Sequence, residues 1–284
     1  MTETAVFEGR SLSQRVLRRF RTSAFGRTAA APAGMQLFAS YEQALERCGG
    51  YEERDLLDVI EAKTRIFRDN PAPPALSESE VHSLLALTAC ALETTGPAIK
   101  VLDFGGACGA HYYHLRRLTA RDVRWVIVET PGMAGRANRL AAGISSLAAV
   151  TTIAEARTAL GGSVDLAHAS GTLQCTPDPY QALAGLLEVR APFLLLTRGA
   201  VTTGDRDIVV VHRSSLASNG PGPLPPQFHD RPVSYPFVFA SRERLLAQLR
   251  GAYRRIVVLP DHTGFFPVNQ EPVQGFAVLC SELR

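Results

Sequence analysis

The chain has 284 residues, of which 46% are hydrophobic, and it carries a formal net charge of +3. This size and apolar content suit one α/β domain with a modest extension, without disorder or a repeat array. The net charge is small, and no basic block with interleaved aromatic residues follows the amino-terminal region, so nucleic-acid binding is disfavoured. A small molecule is therefore the expected partner.

The lysines and cysteines exclude several further classes of protein. The lysines are Lys63 and Lys100, and neither lies in a Gly-Lys-Ser/Thr phosphate loop or a Tyr-x-x-x-Lys arrangement, which disfavours a P-loop nucleotidase and a short-chain dehydrogenase. The five cysteines are scattered and include no Cys-x-x-Cys pair, so neither a zinc site nor a redox motif is indicated. They fit a reducing, cytoplasmic setting.

The amino-terminal region combines apolar residues at helical spacing with arginines from Ser11 to about Ala24. This pattern predicts an amphipathic, basic helix, which either docks to a partner or anionic surface or lies on its own domain. Residues 28–34 are rich in Ala, Gly and Pro and read as a linker. Because no apolar segment reaches membrane-spanning length, neither secretion nor membrane insertion is expected.

Helices are predicted next, over Tyr41–Cys48 and Asp55–Phe67. A third helix begins after Ser77, because Ser77 and Glu80 form a capping-box pattern ahead of an apolar run. A Gly-Pro pair stops this helix. We therefore expect residues 1–96 to form a helical amino-terminal extension or lid.

From Ile99 onward, short apolar runs alternate with helical segments, which predicts a parallel sheet with crossover helices. The main domain is therefore expected over residues 97–284. An insertion at about 204–236 interrupts it and contains an additional strand at Ile208–Val211. The other predicted strands are Ile99–Phe104, Trp125–Val128, Val150–Ile153, Val164–Ala167, Phe193–Thr197 and an antiparallel closing pair, Arg255–Leu259 and Gly275–Cys280. Helices are predicted over Tyr112–Leu118, Gln181–Val189 and Ser241–Leu249.

The central signal is the run Val-Leu-Asp-Phe-Gly-Gly-Ala-Cys-Gly at residues 101–109, a buried strand that leads into a glycine turn and then a helix. Gly105, Gly106 and Gly109 allow a tight turn and close approach of a ligand. The next strand ends on Glu129, whose carboxylate can accept hydrogen bonds from both hydroxyls of a ribose. These two elements predict a site for a nucleoside cofactor that lacks a 2′-phosphate.

The identity of the cofactor follows from the residues around the glycines. The NAD template Gly-x-Gly-x-x-Gly fits poorly, because Ala107 and Ala110 occupy its later glycine positions. An acidic residue before the glycines, here Asp103, is typical of S-adenosylmethionine enzymes, in which no pyrophosphate lies at the helix end. S-adenosylmethionine is therefore the expected cofactor. The alternative is a turn that binds nothing, for which three glycines would be a costly solution.

These residues resemble the class I methyltransferases, and more closely a bacterial methyltransferase subfamily with the pattern Leu-Asp-Phe-Gly-Gly-x-x-Gly followed by a tyrosine-containing helix. The resemblance spans roughly Tyr41 to the end of the chain. It implies a Rossmann-like α/β fold with strand order 3-2-1-4-5-7-6 and the cofactor across the carboxyl ends of strands one, two and four. The further stretches that agree with it are residues 40–44 with Gly50-Tyr51, residues 125–129, residues 170–174 with Asp178-Pro179, and residues 234–237.

Two positions depart from this pattern: Ala107 replaces a frequent middle glycine, and Cys175 stands where tyrosine is expected. The loop at residues 170–174 directly follows the fourth strand of the main domain, at the crevice where open α/β sheets bind ligands. The expected cofactor contacts are Asp103, Gly105, Gly106, Gly109, Tyr112, Glu129, Ser170, Gly171, Leu173 and Gln174.

Attack on the methyl group of a sulfonium needs mainly alignment and a base. His111, beside the glycine turn, is the first candidate base, followed by His262 and by His168 at the end of the fourth strand. Tyr112 and Tyr113 either offer cation–π contact to the sulfonium or pack into the core. The catalytic candidates are therefore His111, Tyr113 and His262.

No metal is expected, because the spacing of His111, His114, Asp103 and Glu129 does not place three ligands on one face. Three functions remain open. The first is methyl transfer to a small or medium organic acceptor. The second is intramolecular cyclisation of the cofactor with release of methylthioadenosine, which Cys175 and the unusual lining of the site keep open. The third is non-catalytic binding of S-adenosylmethionine or docking. The sequence also leaves open the acceptor and whether the chain forms a homodimer.

Overall fold

The computed structural model describes residues 36–72, 74–261 and 273–284. The predicted basic helix at 11–24, the linker at 28–34 and the candidate base His262 lie outside these residues. Within the described ranges, no helix is both long enough and apolar enough to cross a membrane.

A short strand and three helices precede the central sheet. They are β1 (Leu37–Phe38), α1 (Tyr41–Leu45), α2 (Arg54–Asp69) and α3 (Glu78–Glu93). The predicted helices are confirmed, although α1 ends three residues before the expected Cys48. The predicted capping box is also confirmed: the Ser77 hydroxyl accepts a hydrogen bond from the Glu80 backbone N–H, and the Glu80 carboxylate accepts one from the Ser77 backbone N–H.

A parallel sheet forms the centre of the molecule, as the alternation of strands and helices predicts. Its strands lie in the order β4-β3-β2-β5-β6, and β6 then pairs antiparallel with β10, which pairs antiparallel with β9. For the main domain this is the order 3-2-1-4-5-7-6, so the predicted topology is confirmed. The strands are β2 (Ala98–Phe104), β3 (Asp122–Val128), β4 (Leu147–Val150), β5 (Leu166–Ser170), β6 (Phe193–Thr202), β9 (Tyr253–Leu259) and β10 (Val273–Leu283).

Helices cover both faces of this sheet. Apolar residues of α2, α3, α4 (Ala110–Leu115) and α5 (Pro131–Leu140) share one core cluster with Val101, Trp125, Leu166 and Leu195. The opposite cluster contains the next residue along most of these strands, such as Leu102 and Val126, packed against α6 (Ile153–Ala159), α7 (Pro179–Glu188) and α8 (Arg242–Ala252). The alternation of side chains along each strand accounts for this division between the two faces.

The insertion forms a second, smaller antiparallel sheet. Strand β7 (Ile208–Ser215) confirms and extends the additional strand predicted there, and it pairs with β1 and with β8 (Pro232–Ser241). Strand β8 also pairs with the last two residues of β6. The sequence does not predict β8, because Pro236 lies within it and proline lowers the expectation of a strand. Strand β6 therefore extends past the end of β5, and the small sheet is attached to this extension through β8.

One predicted strand is displaced. The sequence suggests a strand at Val150–Ile153, whereas β4 ends at Val150 and α6 begins at Ile153. Thr152 and Glu155 form a capping box at the start of α6, and this local pairing sets the helix boundary more strongly than the apolar run does. The error is therefore one of boundary, and the topology is unaffected.

The capping box of α3 yields a stability prediction. Replacing Ser77 with Ala removes the hydroxyl that accepts from the Glu80 N–H, and we expect a loss of about 1 kcal/mol in the free energy of unfolding. Thr130→Ala is the matched control, because Thr130 is the N-cap of α5 but makes no side-chain capping hydrogen bond. Urea unfolding of both variants should show a cost for Thr130→Ala within about 0.5 kcal/mol. Equal costs would contradict the assigned cap.

Candidate functional site

The glycine turn and Glu129 lie side by side at the carboxyl edge of the sheet. The Gly105 backbone N–H donates to the Val128 carbonyl at 2.9 Å, which joins the turn to the end of β3. The carboxylate of Glu129 accepts hydrogen bonds from the backbone N–H of Ala107 at 2.9 Å and of Thr130 at 3.0 Å. The two elements that the sequence singles out are therefore in direct contact.

Glu129 is half-buried, and its carboxylate retains acceptor capacity. Each of its oxygens takes one backbone N–H, whereas a carboxylate oxygen can accept two hydrogen bonds. Burial raises the pKa of Glu129 from an ordinary 4.5 to about 7, and the two backbone hydrogen bonds only partly offset this effect. The group is thus held in place and able to accept hydrogen bonds from hydroxyls.

The three glycines of the turn are required by the protein's own packing. Gly105 and Gly109 have positive φ values of 74° and 86°, which L side chains rarely adopt. A Cβ on Gly105 would also lie 2.2 Å from the Thr172 side chain, and a Cβ on Gly106 would lie 2.2 Å from Oδ2 of Asp103. The turn is therefore built against the carboxylate beneath it and the loop beside it.

Asp103 is fully buried and supports the turn from inside the protein. Its Oδ2 accepts from Trp125 Nε1 at 2.9 Å, and its Oδ1 lies 2.7 Å from His168 Nδ1. Burial by itself would raise the pKa of Asp103, but the His168 charge and these hydrogen bonds outweigh burial and lower it. Both carboxylate oxygens have protein partners and no exposed surface. Asp103 therefore holds the turn from beneath, and its expected contact with the cofactor remains a prediction.

Both ring nitrogens of His168 have protein partners. Its Nε2 lies 2.8 Å from the Ser83 hydroxyl, which in turn donates to the Ser79 carbonyl at 2.8 Å. Its Nδ1 pairs with the buried carboxylate of Asp103 at 2.7 Å. This candidate base therefore has no free ring nitrogen that faces the crevice.

His111 occupies the first turn of α4, with its ring edge-on to His168 at a centroid distance of 5.1 Å. Its Nε2 is buried and has no hydrogen-bond partner within the described part of the chain. Burial, followed by the charge of His168, lowers the pKa of His111 to about 4. The ring is therefore neutral at pH 7, as a proton acceptor must be. Its catalytic role remains a prediction.

Tyr112 and Tyr113 pack in the core, which is the second of the two alternatives that the sequence leaves open. Both side chains are buried in the same apolar cluster. The Tyr112 hydroxyl bonds to Ser146 Oγ at 2.6 Å, and its ring lies edge-on to Trp125. These contacts account for both rings as core residues, and the expected cofactor contact of Tyr112 and the catalytic role of Tyr113 remain predictions.

The loop after β5 forms the third wall of the crevice. The Thr172 hydroxyl lies 3.3 Å from the Gly105 carbonyl, which ties this loop to the glycine turn. Gly171 has a φ of 71°, and the buried Ser170 hydroxyl has no partner among the described residues. Leu173 and Gln174 are buried. These two buried side chains anchor the loop in the protein interior, whereas Ser170 and Gly171 lie on the side of the loop next to the glycine turn.

Two tyrosines of the amino-terminal segment close over this loop, and sequence reasoning missed their role. The Tyr41 hydroxyl donates to the Cys175 carbonyl at 3.0 Å, and the Tyr51 hydroxyl donates to Cys175 Sγ at 2.5 Å. The Tyr51 ring also stacks on Tyr235 at 4.2 Å. Three of the stretches that carry the family resemblance thus meet at one place. The resemblance marked these residues, but only folding shows that they touch.

The Cys175 thiol is an acceptor in this arrangement. Burial raises its pKa to about 12, although the Tyr51 hydrogen bond acts in the opposite direction. A thiol with that pKa is not a nucleophile at neutral pH. Cys175 stands where the family resemblance leads us to expect a tyrosine. In this structure a tyrosine hydroxyl still lies at that position, because Tyr51 of the amino-terminal segment contacts the sulfur.

No group of three His, Cys, Asp or Glu side chains that could hold a metal ion is found in the described ranges. His114, one of the residues weighed as a metal ligand, instead pairs with Glu80 at 2.6 Å. The same Glu80 belongs to the capping box of α3. This pair therefore connects the start of α3 to α4.

The fold has the strand order of the class I methyltransferases. No protein-family model and no curated protein matches the chain. Among solved structures, it is similar to the N-terminal domain of EvdMO1 with SAH bound, at 17% identity over 74% of this chain and 83% of that one, with a TM-score of 0.47. It is also similar to the CcbJ methyltransferase from Streptomyces caelestis, at 14% identity over 79% and 99% of the two chains, with a TM-score of 0.44. These values are too low to assign an activity.

The contact between Gly106 and Asp103 yields a second prediction. Gly106→Ala places a methyl group against the buried carboxylate, and we expect it to lower the free energy of unfolding by about 3 kcal/mol through overpacking and a strained ion pair. Gly135→Ala is the control, because its Cβ meets nothing within 4 Å in the middle of α5. That substitution should raise stability by about 1 kcal/mol. Urea unfolding measures both, and a Gly106→Ala variant as stable as the wild type would contradict the packing.

The raised pKa of Glu129 predicts a pH dependence of stability. With a folded pKa of about 7 against an ordinary 4.5, the folded state binds more protons than the unfolded state between these values, so this group lowers stability as pH rises through them. Glu129→Gln removes the effect. The free energy of unfolding of Glu129→Gln minus that of the wild type should therefore rise by on the order of 2 kcal/mol from pH 5 to pH 8.

Urea unfolding at pH 5 and pH 8 measures this difference. Titration of the buried His111 and His212, whose pKa values burial lowers to about 4, opposes the Glu129 effect but is common to both proteins and cancels in the comparison. A difference that stays constant with pH would show that Glu129 ionises normally.

Proposed function

We propose that this chain is an S-adenosylmethionine-dependent methyltransferase that acts on a small or medium organic acceptor. The observation that carries the proposal is the position of Glu129. Its carboxylate is held against the glycine turn by the Ala107 N–H, at the carboxyl edge of a sheet with order 3-2-1-4-5-7-6. This is where open α/β sheets bind nucleosides, and a carboxylate at the end of the second strand suits ribose hydroxyls.

The residues around this position fit the cofactor. Glu129 would accept hydrogen bonds from the ribose, and the backbone of the glycine turn would line the methionine moiety. The unpartnered hydroxyl of Ser170 and the neighbouring Gly171 would form the opposite wall. When bound, the sulfonium supplies an electrophilic methyl carbon.

The chain's own contribution to the chemistry is a base and a rigid support. His111 is neutral at pH 7 and keeps an unpartnered Nε2, so it can take a proton from an acceptor hydroxyl or amine. The ion pair of Asp103 and His168 holds the turn and the His111 ring in place. We further propose that residues 1–96 act as a lid on the domain of residues 97–284, supported by the contacts of Tyr41 and Tyr51 with Cys175.

One of the two features that keep the competing cyclisation reaction open is Cys175, and its sulfur accepts a hydrogen bond from the Tyr51 hydroxyl. Incubation with S-adenosylmethionine labelled in the methyl group, with and without a cell extract as the source of acceptor, distinguishes the reactions by chromatography. We expect S-adenosylhomocysteine only when extract is present. Methylthioadenosine formed without extract would instead indicate cyclisation, and tight binding without turnover would indicate a binding protein.

Binding of S-adenosylhomocysteine tests the assignment without an acceptor. We expect the wild type to bind it in isothermal titration calorimetry, and Glu129→Gln to weaken binding about tenfold, because hydrogen bonds to a charged group are lost. Glu93→Gln, at the exposed end of α3, is the control and should leave the affinity unchanged. Absence of binding by the wild type would refute the proposed cofactor.

A further inference from the structure

Strand β6 contains a bulge at the point where its parallel neighbour changes from β5 to β8. Phe276 of β10 pairs with Gly199 and Val278 pairs with Leu196, so Thr197 and Arg198 together lie opposite a single residue of β10. Strand β5 pairs with β6 up to Thr197, and β8 pairs with it only beyond the bulge. Bulges of this kind bend a strand and redirect a side chain, and they are frequent beside active sites.

The bulge places a strained arginine at the carboxyl edge. Arg198 has a φ of 53°, in the left-handed region that disfavours residues with a Cβ. Glycine is the usual residue there, and the next position is indeed a glycine, Gly199. A Cβ on Gly199 would lie 2.6 Å from the Phe276 carbonyl oxygen. The Gln174 side chain donates to the Arg198 carbonyl at 3.0 Å, so the loop after β5 helps to hold this conformation.

The Arg198 side chain is exposed and extends over the third wall of the crevice. Its Cβ and Cζ both lie 3.6 Å from where a Cβ of Gly171 would stand, so the arm runs along Gly171. Within the described part of the chain, its guanidinium has neither an ion pair nor a side-chain hydrogen bond, in contrast to Arg136, which pairs with Asp58 and Glu61.

The same guanidinium lies within electrostatic range of the candidate base. Burial is the main influence on the pKa values of His111, Cys175 and Tyr235, and the charge of Arg198 acts on all three, lowering each. A cation with no partner among the described residues therefore lies close enough to act on both the proposed base and Cys175, which the amino-terminal tyrosines contact.

We propose that Arg198 binds a carboxylate of the acceptor, so that the substrate is an organic acid whose hydroxyl or amine faces His111. This rests on the proposed function. The planar guanidinium offers paired N–H donors that match a carboxylate. A carboxylate is favoured over a phosphate because Arg198 is a single cation, and the Glu129 charge acts on Cys175 in the same region. One positive charge balances a carboxylate but leaves a phosphate dianion uncompensated.

Equilibrium binding of simple probes tests this assignment. Benzoate, phenyl phosphate and benzyl alcohol are titrated at constant ionic strength into the wild type, with and without saturating S-adenosylhomocysteine, and binding is followed by calorimetry. We expect benzoate to bind more tightly than the other two, and Arg198→Gln to weaken benzoate binding about tenfold or more. Arg157→Gln, on the exposed face of α6, removes the same charge and should leave benzoate binding unchanged.

Each other result overturns the proposal. Equal benzoate affinity in Arg198→Gln and the wild type, no benzoate binding in either state, or tighter binding of phenyl phosphate would reject a carboxylate site at Arg198. Failure of S-adenosylhomocysteine to bind would reject the proposed function separately, because benzoate is also titrated into the free protein.

A second measurement tests the strain itself. Arg198→Gly and Arg198→Ala both remove the guanidinium, but only glycine accepts a positive φ without strain. We therefore expect Arg198→Gly to unfold at a higher temperature than Arg198→Ala. Equal melting temperatures would show that Arg198 is not held in a strained conformation, and the proposal would lose its structural basis.

Discussion

The carboxylate of Asp103 is a charge at the centre of the protein, and much of the site follows from the need to stabilise it. A buried charge is costly unless it is paired and hydrogen-bonded. Here His168 and Trp125 supply these partners, and Ser83 of α3 fixes the far side of the His168 ring. The pair excludes any side chain at position 106. Burial, followed by the charge of His168, lowers the pKa of the neighbouring His111 to about 4. A structural ion pair and a candidate base are therefore parts of one arrangement.

The amino-terminal helices are part of this arrangement as well. Helix α3 brings Ser83 to His168, and it also brings His82 to Thr197 Oγ1 at 3.0 Å, next to the bulge of β6. The segment before it brings Tyr51 to Cys175. The extension thus contacts β5, β6 and the loop between them.

Much of the fold could be predicted from local patterns. The alternation of apolar runs and helical segments indicates a parallel sheet, and Ser77 with Glu80 marks the start of α3, because a capping box is written in adjacent residues. Boundaries were harder, as the displaced strand at Val150–Ile153 shows. Strand β8 was missed because its stability comes from pairing with β7 from Pro232 to Phe239, which overrides the proline within it.

The sequence by itself determined the turn at residues 105–109, the carboxylate that follows at Glu129 and the loop beginning at Ser170, since each directly follows a strand of the parallel sheet. Only the tertiary structure decided what each side chain does. It buried Asp103 and Tyr112 and gave both ring nitrogens of His168 a protein partner. It also turned Arg198 toward the crevice through a bulge whose register depends on β10. The physical reason is that strand order follows from local periodicity, whereas burial, protonation and side-chain direction depend on partners that lie far away along the chain.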